Sequence, residues 1–378
     1  MLNQKAHVEK LLKQAGITIN GSGAADTKIH NEKLYGRVMR GGSLALGEAY
    51  MEGWWDVKEL DQFFYQILSH GISHAAAHSW HELLFLAGSI MFNMQSKARA
   101  FEVGQKHYDI GNDLYEAMLD KRMTYTCGYW SPSASSGQAA INLDQAQEAK
   151  LDLVCKKLRL KPGDTVLDIG CGWGSFLEFA AQKYSIKGTG ITISKEQAAL
   201  ARKRCQGLPI EIKVQDYRDT QGTFNHIVSL GMFEHVGFKN YAAYMKKAHD
   251  LLANDGLFLL HTIGANQTSF FTDPWVEKYI FPNGILPSVS QIGKSIEKLF
   301  IMEDWHNFGH DYSKTLMAWF ENFDRAWLTL QSKYDDRFYR MWKYYLLSFA
   351  GSFRARNLHL WQIVLSKHGV RGGYQSVR

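Results

Sequence analysis

Two stretches of the sequence hold residues spaced for chemistry. In the first, Val166 to Gly174 (VLDIGCGWG), Asp168 stands two residues ahead of Gly170, and Gly172 and Gly174 follow at alternate positions. Glycines so placed let a backbone turn sharply and approach a ligand closely. A dinucleotide site would carry G-x-G-x-x-G to seat a pyrophosphate on the next helix. Here the third glycine comes one residue early, and the preceding carboxylate suits a cationic group instead. The second stretch joins GMFEHVG, with Glu234 and His235, to HTIG, with His261 and Ile263. Taken alone, such a Glu either works chemically or caps the next helix. A His beside Thr262 either works or is a satisfied core residue.

The elements that must position these residues read as alternating strands and helices from Lys161 onward. Strands are expected at Thr165 to Ile169, Lys187 to Ile193, Ile210 to Val214, His226 to Leu230 and Leu257 to Leu260. Helices are expected at Phe176 to Tyr184, Lys195 to Cys205 and Tyr241 to Leu252. This rhythm predicts a parallel sheet with helices on both faces, whose ligands bind at the carboxyl ends of the strands. Further strands are expected near Phe300 to Trp305 and at Leu358 to Leu365, with long aromatic helices between. D-x-G-x-G-x-G at the first strand end matches motif I of S-adenosylmethionine-dependent methyltransferases. The fold class expected is therefore α/β, a Rossmann-like class I methyltransferase sheet, with a smaller, mainly helical N-terminal domain. After the second strand, Gly190 to Ser194 offers Thr192 but no acid for ribose hydroxyls, and Gln197 is the expected substitute. After the third, Asp216 is placed to accept from an adenine amino group, with Tyr217 or Arg218 to stack on the ring.

Residues 1–95 read as the helical domain, where Val8, Leu11, Leu12 and Ala15 form one apolar face that Gly16 ends. Residues 96–115 read as a linker and 116–378 as the catalytic domain. Leu83 to Phe92 is the longest strongly apolar run, a helix too short for the roughly 20 residues a bilayer needs. MLNQKAHVEK lacks the apolar core of an export signal. The expected location is the cytoplasm, in peripheral contact with the inner face of the cell membrane. Cys127, Cys155, Cys171 and Cys205 form no C-x-x-C pair, and His74, His78 and His81 read as incidental, so no metal site is expected. The net charge is +6, yet from Arg337 onward there are eight Lys or Arg and no Asp or Glu. That block can attract anionic phospholipid, or be compensated by Glu321, Asp324, Asp335 and Asp336 just upstream. No nucleic-acid motif accompanies it, and nucleic acid is not an expected partner.

KHYDIGNDLYEAML, MTYTCGYW, MFEHVG, YIFPNG and EDWHNFGHDY together resemble the cyclopropane and mycolic acid cyclopropane synthase family. ITINGSGAAD and LGEAYMEGWWD extend the resemblance to the phospholipid-acting branch of it. The resemblance implies a homodimer that methylates the cis double bond of unsaturated acyl chains in membrane phospholipids, using S-adenosylmethionine, and closes a cyclopropane ring. It implies bicarbonate as the base, held by Cys127, Glu234, His261, Ile263 and Tyr312. It also adds Tyr108 and Gly111, in the YDIGND segment, to Asp168, Gly170, Gly172, Gly174, Thr192, Gln197, Asp216 and Tyr217 as cofactor contacts. An alkene is a poor nucleophile, so such a site gains most by positioning it and excluding water. The crowding of aromatic residues between Phe300 and Trp361 suits a desolvated cation, although most of them read as core. Alternatives are a relative making branched or hydroxylated chains, one acting on a small amine, and a non-catalytic lipid-binding relative.

Overall fold

A computed structural model describes residues 2–72, 111–130 and 142–378. The expected helix Leu83 to Phe92, the three clustered histidines, Tyr108 and most of the expected linker lie outside them. The chain forms two compact units, each drawn from three segments. The first unit takes residues 1–92, 270–282 and 312–358; the second takes 93–269, 283–311 and 359–378. The first unit thus adds two later segments to the N-terminal one.

In the first unit, helix Leu2–Gln14 ends at Gly16, whose φ is 70°. Strands β1 (Thr27–Ile29) and β2 (Trp55–Val57) pair antiparallel. Helix Leu34–Met51 is kinked at Gly42, and helices Leu60–Ser69 and Asp336–Arg354 complete the unit's centre. Trp55 is buried there against Tyr50 and Phe63, at ring distances of 5.2 and 5.1 Å. A fully buried aromatic of this kind contributes about 3 kcal/mol from the area it removes from water. Trp275 fits the notch left by Gly47, where a Cβ would lie 2.3 Å from its ring. Arg340 binds Asp56 at 2.7 Å and the carbonyls of Tyr50 and Trp55, and Arg354 binds Asp61. Two cations of the basic block are therefore compensated by acids 284 and 293 residues upstream, whereas Asp335 caps the helix that follows it.

The second unit is built on a seven-stranded sheet in the order β5-β4-β3-β6-β7-β9-β8. Its strands are β3 (Thr165–Ile169), β4 (Lys187–Thr192), β5 (Ile210–Val214), β6 (Phe224–Leu230), β7 (Leu252–Gly264), β8 (Ile301–Asn307) and β9 (His359–Ser366). The five from β3 to β7 run parallel, while β9 lies antiparallel between β7 and β8. The expected parallel strands are joined by an antiparallel one, because the chain returns to β9 from the opposite end. Every residue of β9 is buried, as a strand covered on both faces requires. Helices Leu143–Lys157, Ser175–Tyr184 and Lys195–Arg204 pack Leu151, Val154, Phe176, Leu177 and Ala201 into one core. Helices Tyr241–Leu251 and Val289–Ile296 pack Tyr244, Met245, Ala248 and Ile292 into the core on the other face. Among the described residues, no helix is long and apolar enough to cross a membrane.

Candidate active site

The site lies where β3, β6 and β7 end. Beyond Ile169 the chain turns through Gly170, Gly172 and Gly174 with φ of 88°, 52° and 81°, a region side chains other than hydrogen disfavour. Gly174 immediately precedes helix Ser175–Tyr184. A Cβ on Gly170 would also lie 2.8 Å from Met232, so the cofactor-type turn and the turn after β6 are in direct contact. Asp168 is 2% exposed, and its Oδ1 is buried without a hydrogen-bond partner among the described residues. Burial lifts its carboxyl to about 7 against the opposing pull of Lys150.

At the end of β4, the Thr192 hydroxyl donates to Gln197 Oε1 at 3.0 Å. The Gln197 carboxamide is thereby oriented, its oxygen held by Thr192 and its nitrogen directed away from that contact. Beyond β5, Asp216 Oδ1 accepts from both the backbone and the guanidinium of Arg218, each at 2.9 Å. Tyr217 turns inward, 5.0 Å from the Tyr244 ring, and its buried hydroxyl has no partner among the described residues. Gly111 precedes helix Asn112–Met118 with φ 110°.

The second cluster forms between the turn after β6 and the end of β7. Glu234 sits in a single helical turn, Phe233–His235, stacked through Phe233 on Tyr241 at 4.3 Å. The Ile263 N–H donates to Glu234 Oε1 at 2.6 Å, and the Glu234 carbonyl accepts from Ile285 N at 2.8 Å. The Ile263 carbonyl accepts from the Thr262 hydroxyl at 3.0 Å. Glu234 Oε2 is buried without a partner among the described residues, and burial raises the carboxyl to about 7. His261, 1% exposed, lies two residues before Ile263 on β7. Its Nδ1 is 3.3 Å from Gln362 Nε2; an amide nitrogen only donates, so Nδ1 accepts and Nε2 carries the proton. That Nε2 is buried and has no partner among the described residues. Burial first, then the charges of Lys150 and Lys157, hold the ring neutral. His235 is likewise pushed down by burial, to about 4.

Cys127 is fully buried, its thiol donating to the Gly128 carbonyl at 3.1 Å. Tyr312 belongs to the first unit, where its ring meets Phe353 at 4.5 Å and Trp319 at 6.0 Å. The second unit therefore brings Glu234 onto Ile263 directly and joins Asp168, Cys127 and His261 through the charge of Lys150.

Three contributors escape a sequence reading. Gln362 is the one polar side chain within the apolar run LWQIVL of β9, directly opposite His261 in register. Gln147 and Lys150 lie on the helix face that also carries Leu151 and Val154, and all four are buried. The signal was present as polar residues at positions where amphipathic spacing calls for apolar ones.

A family model described as mycolic acid cyclopropane synthetase matches residues 95–363. The chain belongs to this family. Over 369 residues it is 51% identical to the cyclopropane-fatty-acyl-phospholipid synthase of Escherichia coli K12, covering 98% of this chain and 94% of the relative. It is 31% identical to the tuberculostearic acid methyltransferase UfaA1 of Mycobacterium tuberculosis over 92% of this chain and 86% of that one. The mycolic acid cyclopropane synthase CmaA1, solved with SAH and CTAB, superposes with a TM-score of 0.64 at 30% identity, over 71% of this chain and 98% of that one. Coclaurine N-methyltransferase shares the fold at a TM-score of 0.65 and 20% identity, covering 85% of this chain and 98% of its own. As a mycolic acid cyclopropane synthetase family member with the S-adenosylmethionine-dependent methyltransferase fold, the protein is an enzyme of methyl transfer to lipid.

Proposed function

We propose that the protein transfers the methyl group of S-adenosylmethionine to the cis double bond of an unsaturated acyl chain in a membrane phospholipid and closes a cyclopropane. The observation that carries the reading is the pair of buried, unpartnered atoms Glu234 Oε2 and His261 Nε2 beside a motif I turn. Two such groups cost free energy unless a small polar ligand completes them, and a protonated Nε2 with a carboxyl near neutrality suits an oxyanion that carries a proton. Bicarbonate, the base in this proposal, fits that donor and acceptor pair. Bound together, the two small molecules supply an electrophilic methyl group and a base for the proton that ring closure releases.

The chain's own residues then divide the work. The Ile263 N–H fixes one oxygen of Glu234 and leaves Oε2 to receive a proton. Gln362 fixes the His261 tautomer so that Nε2 donates. Cys127 and Tyr312 complete the anion site. The unpartnered Oδ1 of Asp168 suits a cationic ligand, as do glycine turns that allow close approach. Gly111 and Tyr108 cover the cofactor, Thr192 and Gln197 serve the ribose, and Asp216 and Tyr217 serve the adenine, with Asp216 Oδ2 as the acceptor left by Arg218. The protein works as a homodimer in peripheral contact with the cytoplasmic face of the membrane, with residues 1–95 serving lipid or dimer contacts.

The test is to incubate purified protein with S-adenosylmethionine, bicarbonate and vesicles of unsaturated phospholipid. Ring-containing chains that resist hydrogenation are expected. Branched or hydroxylated chains would replace the reading by the activity of a methyltransferase relative, and no modified lipid at all would favour a binding role.

A further inference from the structure

Helix Leu143–Lys157 carries a lysine where its spacing calls for an apolar residue. Lys150 is fully buried, and an ammonium taken out of water costs several kcal/mol unless it is paired. Its Nζ donates to Thr126 Oγ1 at 2.7 Å. One turn earlier, Gln147 donates through Nε2 to the carbonyls of Thr126, at 2.7 Å, and Thr124, at 3.3 Å. The helix therefore grips the segment Thr124 to Gly128 at three points, immediately before Cys127.

That segment is packed onto the site. The Thr126 methyl lies 2.8 Å from where a Cβ on Gly231 would stand, so nothing larger than glycine fits between them. Gly231 donates its N–H to the His261 carbonyl at 2.9 Å and leads three residues on to Glu234. The groups that face the ammonium electrostatically are Asp120, Cys127, Asp168 and His261. Asp120 is itself held by the N–H groups of Arg122 and Thr124. For Asp168 the opposing charge is that of Lys150, and burial alone would favour the neutral acid.

We propose that Lys150 is a positioning residue for methyl transfer. Anchored on Thr126, its ammonium holds the Cys127 segment against the turn that leads to Glu234, and its charge favours the Asp168 carboxylate against burial. The inference rests on the assignment of this site to S-adenosylmethionine, not on the identity of the lipid product. Its sign is specific. Removing the cation raises the Asp168 pKa, so cofactor affinity should fail at a higher pH as the solution is acidified.

The experiment compares the whole enzyme with its Lys150→Met, Lys150→Arg and Thr126→Val variants by calorimetric titration of S-adenosylhomocysteine between pH 5.5 and 7.5, below the value of about 8 to which burial lowers Lys150 itself. Methyl transfer to lipid vesicles is measured in parallel. For Lys150→Met, the pH midpoint of binding should rise by roughly one unit or more, the scale of an opposite charge close to a carboxyl, and Lys150→Arg should restore it. Thr126→Val loses the anchor, so it should lose kcat with KM little changed. A Lys150→Met enzyme with the parental midpoint overturns the proposal. If that variant does not fold, a Thr126→Val enzyme with parental kcat overturns it instead. Binding is read without lipid, so an unexpected lipid product would sink the functional reading and leave this one standing.

Discussion

Gln362 on β9 stands directly opposite His261 on β7, and its amide nitrogen lies 3.3 Å from the imidazole Nδ1. This pairing favours the tautomer protonated at Nε2, because burial disfavours the charged form and an amide donor needs an acceptor. Gln362→Leu keeps the volume of the side chain but frees the tautomer. We expect kcat to fall by about tenfold or more, the range seen when the partner orienting a functional histidine is lost. Cofactor affinity should be unchanged. Steady-state kinetics with calorimetry would check this, and unchanged kcat would remove Gln362 from the mechanism.

Glu234 gives a prediction about stability as well as rate. Burial raises its folded-state pKa to about 7, against an ordinary value of 4.5. The folded protein therefore holds a proton that the unfolded chain releases, and the associated stability is complete below 4.5 and lost as pH rises to about 7. The difference is about 3 kcal/mol at most. Glu234→Gln stays neutral throughout, so its melting temperature relative to the parent should rise between pH 4.5 and 7 and level off above. Turnover should fall by about a hundredfold, in line with loss of an acid–base group, while cofactor binding persists. Parallel Tm curves would show that the carboxyl is not buried as described.

The tail bears on membrane contact. Arg378 sets both guanidinium nitrogens on Asp304 at 2.7 Å, and Asp304 also faces the fully buried Lys157 at 3.4 Å. Lys157 in turn lies 3.1 Å from His306, whose imidazole is held neutral by burial and by that lysine. Arg378→Ala leaves Asp304 and Lys157 to each other, and we expect a loss of about 1–2 kcal/mol, below the cost of a fully buried pair because the arginine is partly exposed. Asp304 is held below its usual range chiefly by Arg378 and Lys157 against burial. Its contribution is present above pH 4 and lost as acidification protonates it, so the variant's deficit should shrink at low pH in thermal melts.

With Arg340, Arg354 and Arg378 all paired internally, any attraction to lipid from the basic block falls to residues such as Lys367 and Arg371. Neutralising these two should weaken sedimentation with anionic vesicles by several-fold at low salt, since each basic residue near such a surface contributes about 1 kcal/mol. Equal sedimentation of variant and parent would eliminate the block as a membrane contact.

The parallel part of the sheet was legible because β3, β5 and β6 are short apolar runs bounded by glycines or turns, and the motif I glycines fall where a strand meets a helix. The ends of β7 were not. It begins at Leu252, within LANDG, whose polar residues carry no strand signal but extend through pairing with β6. The antiparallel direction of β9 was invisible locally, since it depends on where a chain returns after two long helices. Gln362 and Lys150 were missed for a common reason. Their partners are 101 and 24 residues away, and a single polar residue on an apolar face looks like noise until its partner is known.

The first unit is assembled from residues 1–92, 270–282 and 312–358, and Gly351 lets Asp61 and Phe64 approach to within reach of where its Cβ would be. During synthesis at about 5–20 residues per second, the early helices wait some tens of seconds for the segment that covers them. Through that interval the apolar faces around Trp55 and Phe63 stand open to the cell. A ribosome stalled before the last of these segments would therefore leave that aromatic surface uncovered, the kind of transient apolar exposure that makes partly folded chains aggregate.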